Sequence, residues 1–399
     1  MISMIKTLLA LSISVALGTS VFGQSSPAKE GQEQQPTSEP EAASVSLREL
    51  VDEGIQGATQ WLLENQQKSG AWGSHHSPRP IEVLADIPGS HDAFRVATTG
   101  LAVTSLLDSP VRSDQIDNAI DHAIDHIMGN WNVRRVDGME HYNVWTFGYL
   151  LEAIGKLLQV RPDHSQAGDL RQIGDALIEK LLRYQDLDGG WGYLSLAGVK
   201  TYKPSFTSMS FTTATILIGL HEAKKAGLEI PERMLSRALK QVDSCRTPLG
   251  SYTYGKLWNR SPARGINDAK GGACRTPLCD FALERFGHEV DDRKHITSLN
   301  NLLIKHARFQ KLSLKRPIPH ESWYAISGYF YLYGHAYAAY VLDELPLKER
   351  ERLAPPLAEA VLHCRQPDGS FWDYPLYSYH KPYGTAFALI ALTRLDEIE

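Results

Sequence analysis

The chain has 399 residues, a formal net charge of −5 and 43% hydrophobic residues. That mildly acidic balance makes the chain a poor candidate for neutralising phosphates, so no nucleic-acid partner is expected. Four cysteines are too few for a disulfide scaffold; one or two bridges among Cys245, Cys274, Cys279 and Cys364 stay open, and spacing does not assign them.

At the amino end Lys6 precedes the apolar stretch TLLALSISVALG, and small residues follow with a cut after Gly23. This is the layout of a secretory signal over residues 1–23, placing the protein in the periplasm or outside the cell, with no stable membrane span after cleavage. Residues 24–45, rich in Gln, Glu, Pro and Ser, read as a disordered linker. About 350 residues remain, 46–399, enough for one large repetitive domain.

The first element of that domain is SLRELVDEGIQGATQWLLEN, whose Leu47, Leu50, Val51, Ile55, Ala58, Trp61 and Leu62 follow helical spacing behind a Ser46/Glu49 capping box. It ends in QQKSGAW, with Gln66, Gly70 and Trp72. A second helix, SHDAFRVATTGLAVTSLL, is apolar nearly all round and begins with His91, Asp92 and Arg95. The next one-sided helix carries His122 and His126 with Asp121 and Asp125 at metal-ligand spacing, but opposite Ile116, Ile120 and Ile127, so they read as a solvated face. Its end, HIMGNW, keeps only a Gly-x-Trp fragment. MEHYNVW then opens another apolar helix with His141, Tyr142 and Asn143.

The alternation continues. LRQIGDALIEKLLRYQ leads to QDLDGGW, with Gln185, Gly189 and Trp191. KTYKPSF (Tyr202, Lys203) precedes the apolar SFTTATILIGL. ERMLSRALKQVDSC ends in RTPLGSY, where Gly250 is retained, Tyr252 stands for Trp and Arg246 for Gln. GGACRTPLCDFAL brings Cys274 and Arg275; the basic stretch KHARFQKLSLKR reads as a loop. GYFYLYGHAYAAY supplies Tyr331, Tyr333 and His335. QPDGSFW keeps Gln366 and Trp372 but sets its glycine one place earlier, and YSYHKPYGTAFALIALTRL closes the chain with Tyr379, His380 and Lys381.

The motif starts at 66, 185, 246 and 366 fit a period of roughly 60 residues with silent copies near 126 and 306, hence six units. One-sided helices belong on a surface and all-round apolar helices inside it. Six such hairpins arranged in two concentric layers predict an all-α fold, an α6–α6 toroid, and the apolar last helix favours closure onto the first. The motif lies where a helix end leaves carbonyls unpaired and a glycine can turn left-handed, so its role is to fasten units together.

Gln-x-x-x-Gly-x-Trp, repeated at outer-helix ends, resembles the signature of the terpenoid cyclase and protein prenyltransferase superfamily, typified by squalene–hopene cyclases. The resemblance implies a toroid whose central cavity opens at the inner-helix amino ends. The Asp-x-Asp-Asp acid of squalene–hopene cyclases has its nearest counterpart in EVDDRK, with Asp291 and Asp292 but without the first Asp. The zinc set of prenyltransferases, Asp-x-Cys with a later His, is approached by Cys274, Cys279–Asp280 and His335 or His380 in the wrong order. No cofactor is therefore expected, with zinc the open exception.

If the ring closes, the inner-helix starts converge on one mouth. His91, Asp92, Arg95, His141, Tyr142, Asn143, His335 and His380 are then the candidates for acid–base work, with Tyr202, Lys203, Arg275, Tyr331, Tyr333, Tyr379 and Lys381 around the ligand. Three functions remain open: a cavity for an elongated isoprenoid-like ligand, a polysaccharide lyase or glycan-active site built on Arg95, His141, Tyr142 and Asn143, and a non-catalytic binding or scaffold toroid. A wall of Phe, Trp and Leu would favour the first; Arg, Tyr, His and Asn would favour the second.

Overall fold

A computed structural model describes residues 45–78, 88–134, 140–194, 208–256, 264–316 and 318–396. The signal and all of the linker but Val45 lie outside the described residues, as do Tyr202 and Lys203. Val45–Glu399 forms one compact unit.

Outer helices α1 (Leu47–Glu64), α3 (Asp114–Asn130), α5 (Ala167–Tyr184), α7 (Glu232–Asp243), α10 (Asp292–His306) and α13 (Leu347–Leu362) alternate with inner ones. The inner set is α2 (Pro88–Asp108), α4 (Asn143–Val160), α6 (Ser210–Lys225), α9 (Arg275–Glu284), α12 (Tyr331–Asp343) and α14 (His380–Asp396). Short helices α8 (Ala269–Gly272) and α11 (Phe309–Ser313), 3-10 turns at Gly265–Asn267 and Gly328–Phe330, and a two-stranded ribbon, β1 (His320–Glu321) with β2 (Ile326–Ser327), complete the described elements. Every inner helix packs on the next, and α14 packs on both α1 and α2, so the ring is closed. Among the described residues no helix is long and apolar enough to cross a membrane.

Composition explains the layers. In α5 only one stripe (Leu170, Ile173, Leu177, Ile178, Leu181) is buried, whereas α6 is buried continuously from Ser210 to Leu220. Ser46 caps α1 as its spacing predicts, accepting from Glu49 N at 3.2 Å while its own N–H donates to Glu49 Oε2 at 2.7 Å. Closure is specific at the seam. Trp61 Nε1 donates to Asp368 Oδ2 at 3.2 Å, and Arg365 pairs with Glu53 at 3.0 Å. Gly73 lies against Tyr379, where an added Cβ would come within 2.4 Å of the tyrosine Cβ.

The recurring motif has one geometry. Gln66 Nε2 donates to Gly70 O (3.0 Å) and to Ala119 O on the neighbouring outer helix (2.7 Å); Gln185 does the same to Gly189 O (2.7 Å) and Met234 O (2.8 Å). Trp72 and Trp191 are fully buried, each donating its indole N–H to a carbonyl at the end of its own helix, Leu62 O or Leu181 O, at 2.8 Å. A buried ring of this size contributes on the order of 3 kcal/mol. Gly70, Gly189, Gly250 and Gly369 all have positive φ.

Those glycines correct the register of the last copy. Arg246 bridges Tyr252 and Arg365 bridges Phe371, so the buried ring of the sixth unit is Phe371, and Arg365 stands where Gln66 stands. Gln366 and Trp372 are each one place downstream of the equivalent positions. The basic stretch 305–316 is also corrected: α10 runs to His306 and α11 follows, anchored by the fully buried Phe309. His126, expected in solvent with His122, is buried; His122 is exposed. All four cysteines are free and buried.

Candidate functional site

The amino ends of the inner helices surround a cavity of about 150 Å³. Helix α2 turns Phe94, Ala97, Thr98 and Leu101 into it, and α4 turns Trp145 and Tyr149, just after Tyr142. These sets are spaced at three, four and seven residues, one stripe of each helix. Tyr329, Phe330 and Tyr333 enter from the start of α12; Tyr379, His380 and Tyr383 enter from α14, with Tyr193 and His320 from connecting segments. The rings support one another: Phe94 lies 4.8 Å from Tyr142 and 5.3 Å from Tyr379, and Tyr142 stacks on Tyr193 at 5.7 Å. Such packing holds their faces rigid toward the hollow.

The polar groups of the lining are tyrosine hydroxyls, Thr98 and the imidazoles of His320 and His380. His380 Nδ1 accepts from Tyr377 N at 3.3 Å, which leaves its proton on Nε2; burial, with His91 adding, lowers its pKa to about 3, so it is neutral in ordinary buffers. His91 packs edge-on to Tyr377 at 4.7 Å and 5.9 Å from Tyr379, at the rim of the same cluster. Burial pushes the phenols of Tyr193, Tyr333 and Tyr383 well above their ordinary value. No carboxylate is among the described lining residues.

A second compartment of about 60 Å³ adjoins the first, sharing Tyr193, His320, Tyr329, Phe330 and Tyr333 and adding Phe211, Tyr254, Cys274 and Arg275. Arg275 donates to three backbone carbonyls, those of Tyr252, Gly271 and Ile266, so its guanidinium is committed to the wall.

Other candidates point elsewhere. Arg95 bonds Asp92 at 3.1 Å, and neither lines the cavity. His141 packs on Tyr184 of the outer helix α5, at 6.1 Å. Asn143 is buried, its amide without a hydrogen-bond partner among the described residues. His335 Nδ1 meets Tyr331 O at 2.7 Å, and the Tyr331 hydroxyl reaches outward to Ala360 O at 3.4 Å. Lys381 pairs with Asp368 and lies over the rings of Trp61 and Trp372. The reason is common to all: adjacent residues of a helix start point about a third of a turn apart, so only some face the axis.

The acid and metal expectations disperse likewise. Asp291 caps α10 by accepting from Arg293 N at 2.8 Å. Asp280 accepts from the Tyr252 hydroxyl at 2.6 Å, and His380 belongs to the aromatic wall. Among the described residues no three His, Cys, Asp or Glu side chains gather as a metal site.

At the opposite end, the inner-helix carboxyl ends enclose a charged basin of about 380 Å³. Lys156 bonds Asp108, Arg285 bonds Glu344, Arg394 meets Asp343 at 2.7 Å, and Glu222 takes both His221 and Lys225 at 3.1 Å. Glu152 lies on its floor; burial raises its carboxyl to about 7, although Lys156 opposes the shift. Against the cost of burial, bonds from His221 and Gln159 hold Glu222 at about 2.

No family model and no curated protein matches the chain. Solved structures do. A type II terpene cyclase, MstE from Scytonema, aligns over 88% of this chain and 99% of its own at 14% identity, TM-score 0.52. The α-1,6-mannanase GH76A of Salegentibacter sp. HEL1_6 aligns over 88% and 99% at 11% identity, TM-score 0.53. A possible GH105 member from Klebsiella pneumoniae covers 90% and 95% at 14% identity, TM-score 0.54. The chain thus has the helical toroid fold found in a terpenoid cyclase and in glycan-active enzymes. At these identities the likeness extends to the fold alone.

Proposed function

We propose that this protein is an exported toroid that holds an elongated, isoprenoid-like ligand in its aromatic cavity. One observation supports the reading: the described wall of the larger compartment presents aromatic ring faces with Leu101 and Leu376 and holds no carboxylate or arginine, while its seven tyrosines and two histidines, outnumbering Phe, Trp and Leu, are the residue types expected of a glycan site. Apolar ligands are retained by surface removed from water, at roughly 25 cal/mol per Å². Aromatic faces also tolerate a positive centre, through their quadrupoles. Export rests on the signal-like leader. The glycan reading is weaker because its residue set is scattered: of Arg95, His141, Tyr142 and Asn143, Tyr142 alone lines the cavity.

Calorimetric titration of the purified protein with farnesol and geranylgeraniol should show binding with a negative heat-capacity change. Trp145→Ala should weaken it about tenfold, ~1.4 kcal/mol. Binding of α-1,6-mannotetraose in place of either prenol would sink the proposal, and so would the absence of binding by all three.

A further inference from the structure

We propose that Cys274 and His306 form a nucleophilic dyad that accepts an acyl group from an ester or thioester whose hydrocarbon chain occupies the aromatic cavity. The dyad stands on its own geometry; the choice of chain rests on the apolar-ligand reading above.

The four cysteines are not alike. Cys245 Sγ accepts from Gln241 Nε2 at 3.6 Å and Cys364 Sγ from Gln310 Nε2 at 2.8 Å, amide donors that cannot take the thiol proton. Cys274, immediately before α9, has its Sγ 3.4 Å from His306 Nδ1. His306 Nε2 lies 2.7 Å from the Lys270 carbonyl oxygen. A carbonyl can only accept, so the proton sits on Nε2 and Nδ1 presents its lone pair to the thiol. Phe309 and Tyr324, with ring centres 4.8 and 5.5 Å away, fix the imidazole plane. Nucleophile, base and a third group that orients the base are therefore in one line.

Burial of both partners disfavours a resting thiolate–imidazolium pair, so the proton must pass during attack. Cys274 lines the smaller compartment, whose wall shares five residues with that of the aromatic cavity. Burial, with Asp373 adding to it and Arg275 offsetting part, pushes the thiol up, and burial lowers His306 to about 4. Both partners are neutral at rest, and the proton must move as the bond forms. In the step, Sγ attacks the carbonyl carbon, the thiol proton passes to Nδ1, and the carbonyl π pair goes to oxygen. Collapse restores the carbonyl and breaks the bond to the leaving alcohol or thiol, which takes the proton back from His306. The product is a thioester on Cys274, and no oxidant or reductant is required.

The test uses the full chain with p-nitrophenyl decanoate, p-nitrophenyl acetate and iodoacetamide. Expected are a nitrophenolate burst near one equivalent, an acyl mass on the Cys274 peptide, and decanoate reacting at least tenfold faster than acetate. Iodoacetamide should modify Cys274 in the native protein ahead of Cys245, Cys279 and Cys364. Between pH 6 and 8 the burst rate should stay nearly flat, because His306 is already neutral, whereas an unassisted thiol gains about tenfold per pH unit. Cys274→Ala should abolish the burst, and His306→Gln should slow it about a hundredfold and restore the steep pH profile. Cys274→Ser, nearly isosteric, serves if the alanine variant does not fold. Equal iodoacetamide rates at all four cysteines with no burst overturn the dyad, even where the prenols bind. Preferential labelling of Cys274 with equal rates for acetate and decanoate sustains the dyad and overturns the assigned chain.

Discussion

The two ends of the inner barrel are built by the same six helices and are chemically opposite. At the amino ends, Phe94, Trp145, Phe330 and Tyr383 surround a hollow in which few groups need a charged partner. At the carboxyl ends, Asp108, Lys156, Glu222, Arg285, Asp343 and Arg394 surround a larger hollow, and each is already paired. Cavity size alone therefore points away from the proposed ligand site. A basin whose charges neutralise one another works as a bottom plate for the ring, while a smaller cavity of exposed ring faces gains from being filled.

Substitutions in the basin probe this contrast, and each should leave prenol binding at the far end within about twofold. Lys156→Met should have the largest effect. It removes the cation that Asp108 and Glu152 share and should cost about 3 kcal/mol in urea unfolding at pH 7. A loss below about 1 kcal/mol would mean the plate contributes little. Glu152→Gln should act in the other direction. The native carboxyl titrates near 7 against an ordinary 4.5, so the fold binds an extra proton between those values, and its stability falls as pH rises through that window. The glutamine variant should therefore be more stable than the parent by on the order of 2 kcal/mol at pH 8, with no difference below pH 4.5; equal stability at both would remove Glu152 from the account. Lys225→Ala should matter least. Its side chain is 51% exposed, and the loss should stay under about 0.5 kcal/mol and shrink further in salt.

Much of the ring was legible because its signals are local. The spacing of Gln66, Gly70 and Trp72 recurs in Gln185, Gly189 and Trp191, and both copies make the same bonds. The sixth copy misled because a tryptophan, Trp372, lies beside the position that matters; the left-handed glycine Gly369 is the better anchor, and it selects Phe371. In the cavity, Tyr142, Tyr333, Tyr379 and His380 were found as polar residues at inner-helix starts, while Phe94, Trp145, Tyr149 and Tyr193 were missed. In an all-round apolar helix periodicity does not say which stripe faces the axis, although Trp145 and Tyr149 already lie on one side of α4. The basin had a readable sign that went unused: Glu152 and Lys156 are single charges in an otherwise apolar inner helix. Cys274 and His306, 32 residues apart, meet through tertiary packing that no local pattern encodes.

Closure by α14 has a consequence for assembly. Until α14 docks against α1 and α2, the first and fifth hairpins each keep an uncovered greasy flank. Maturation is thus a long-range event that waits on distant parts of the chain, slow by topology and exposed to self-association.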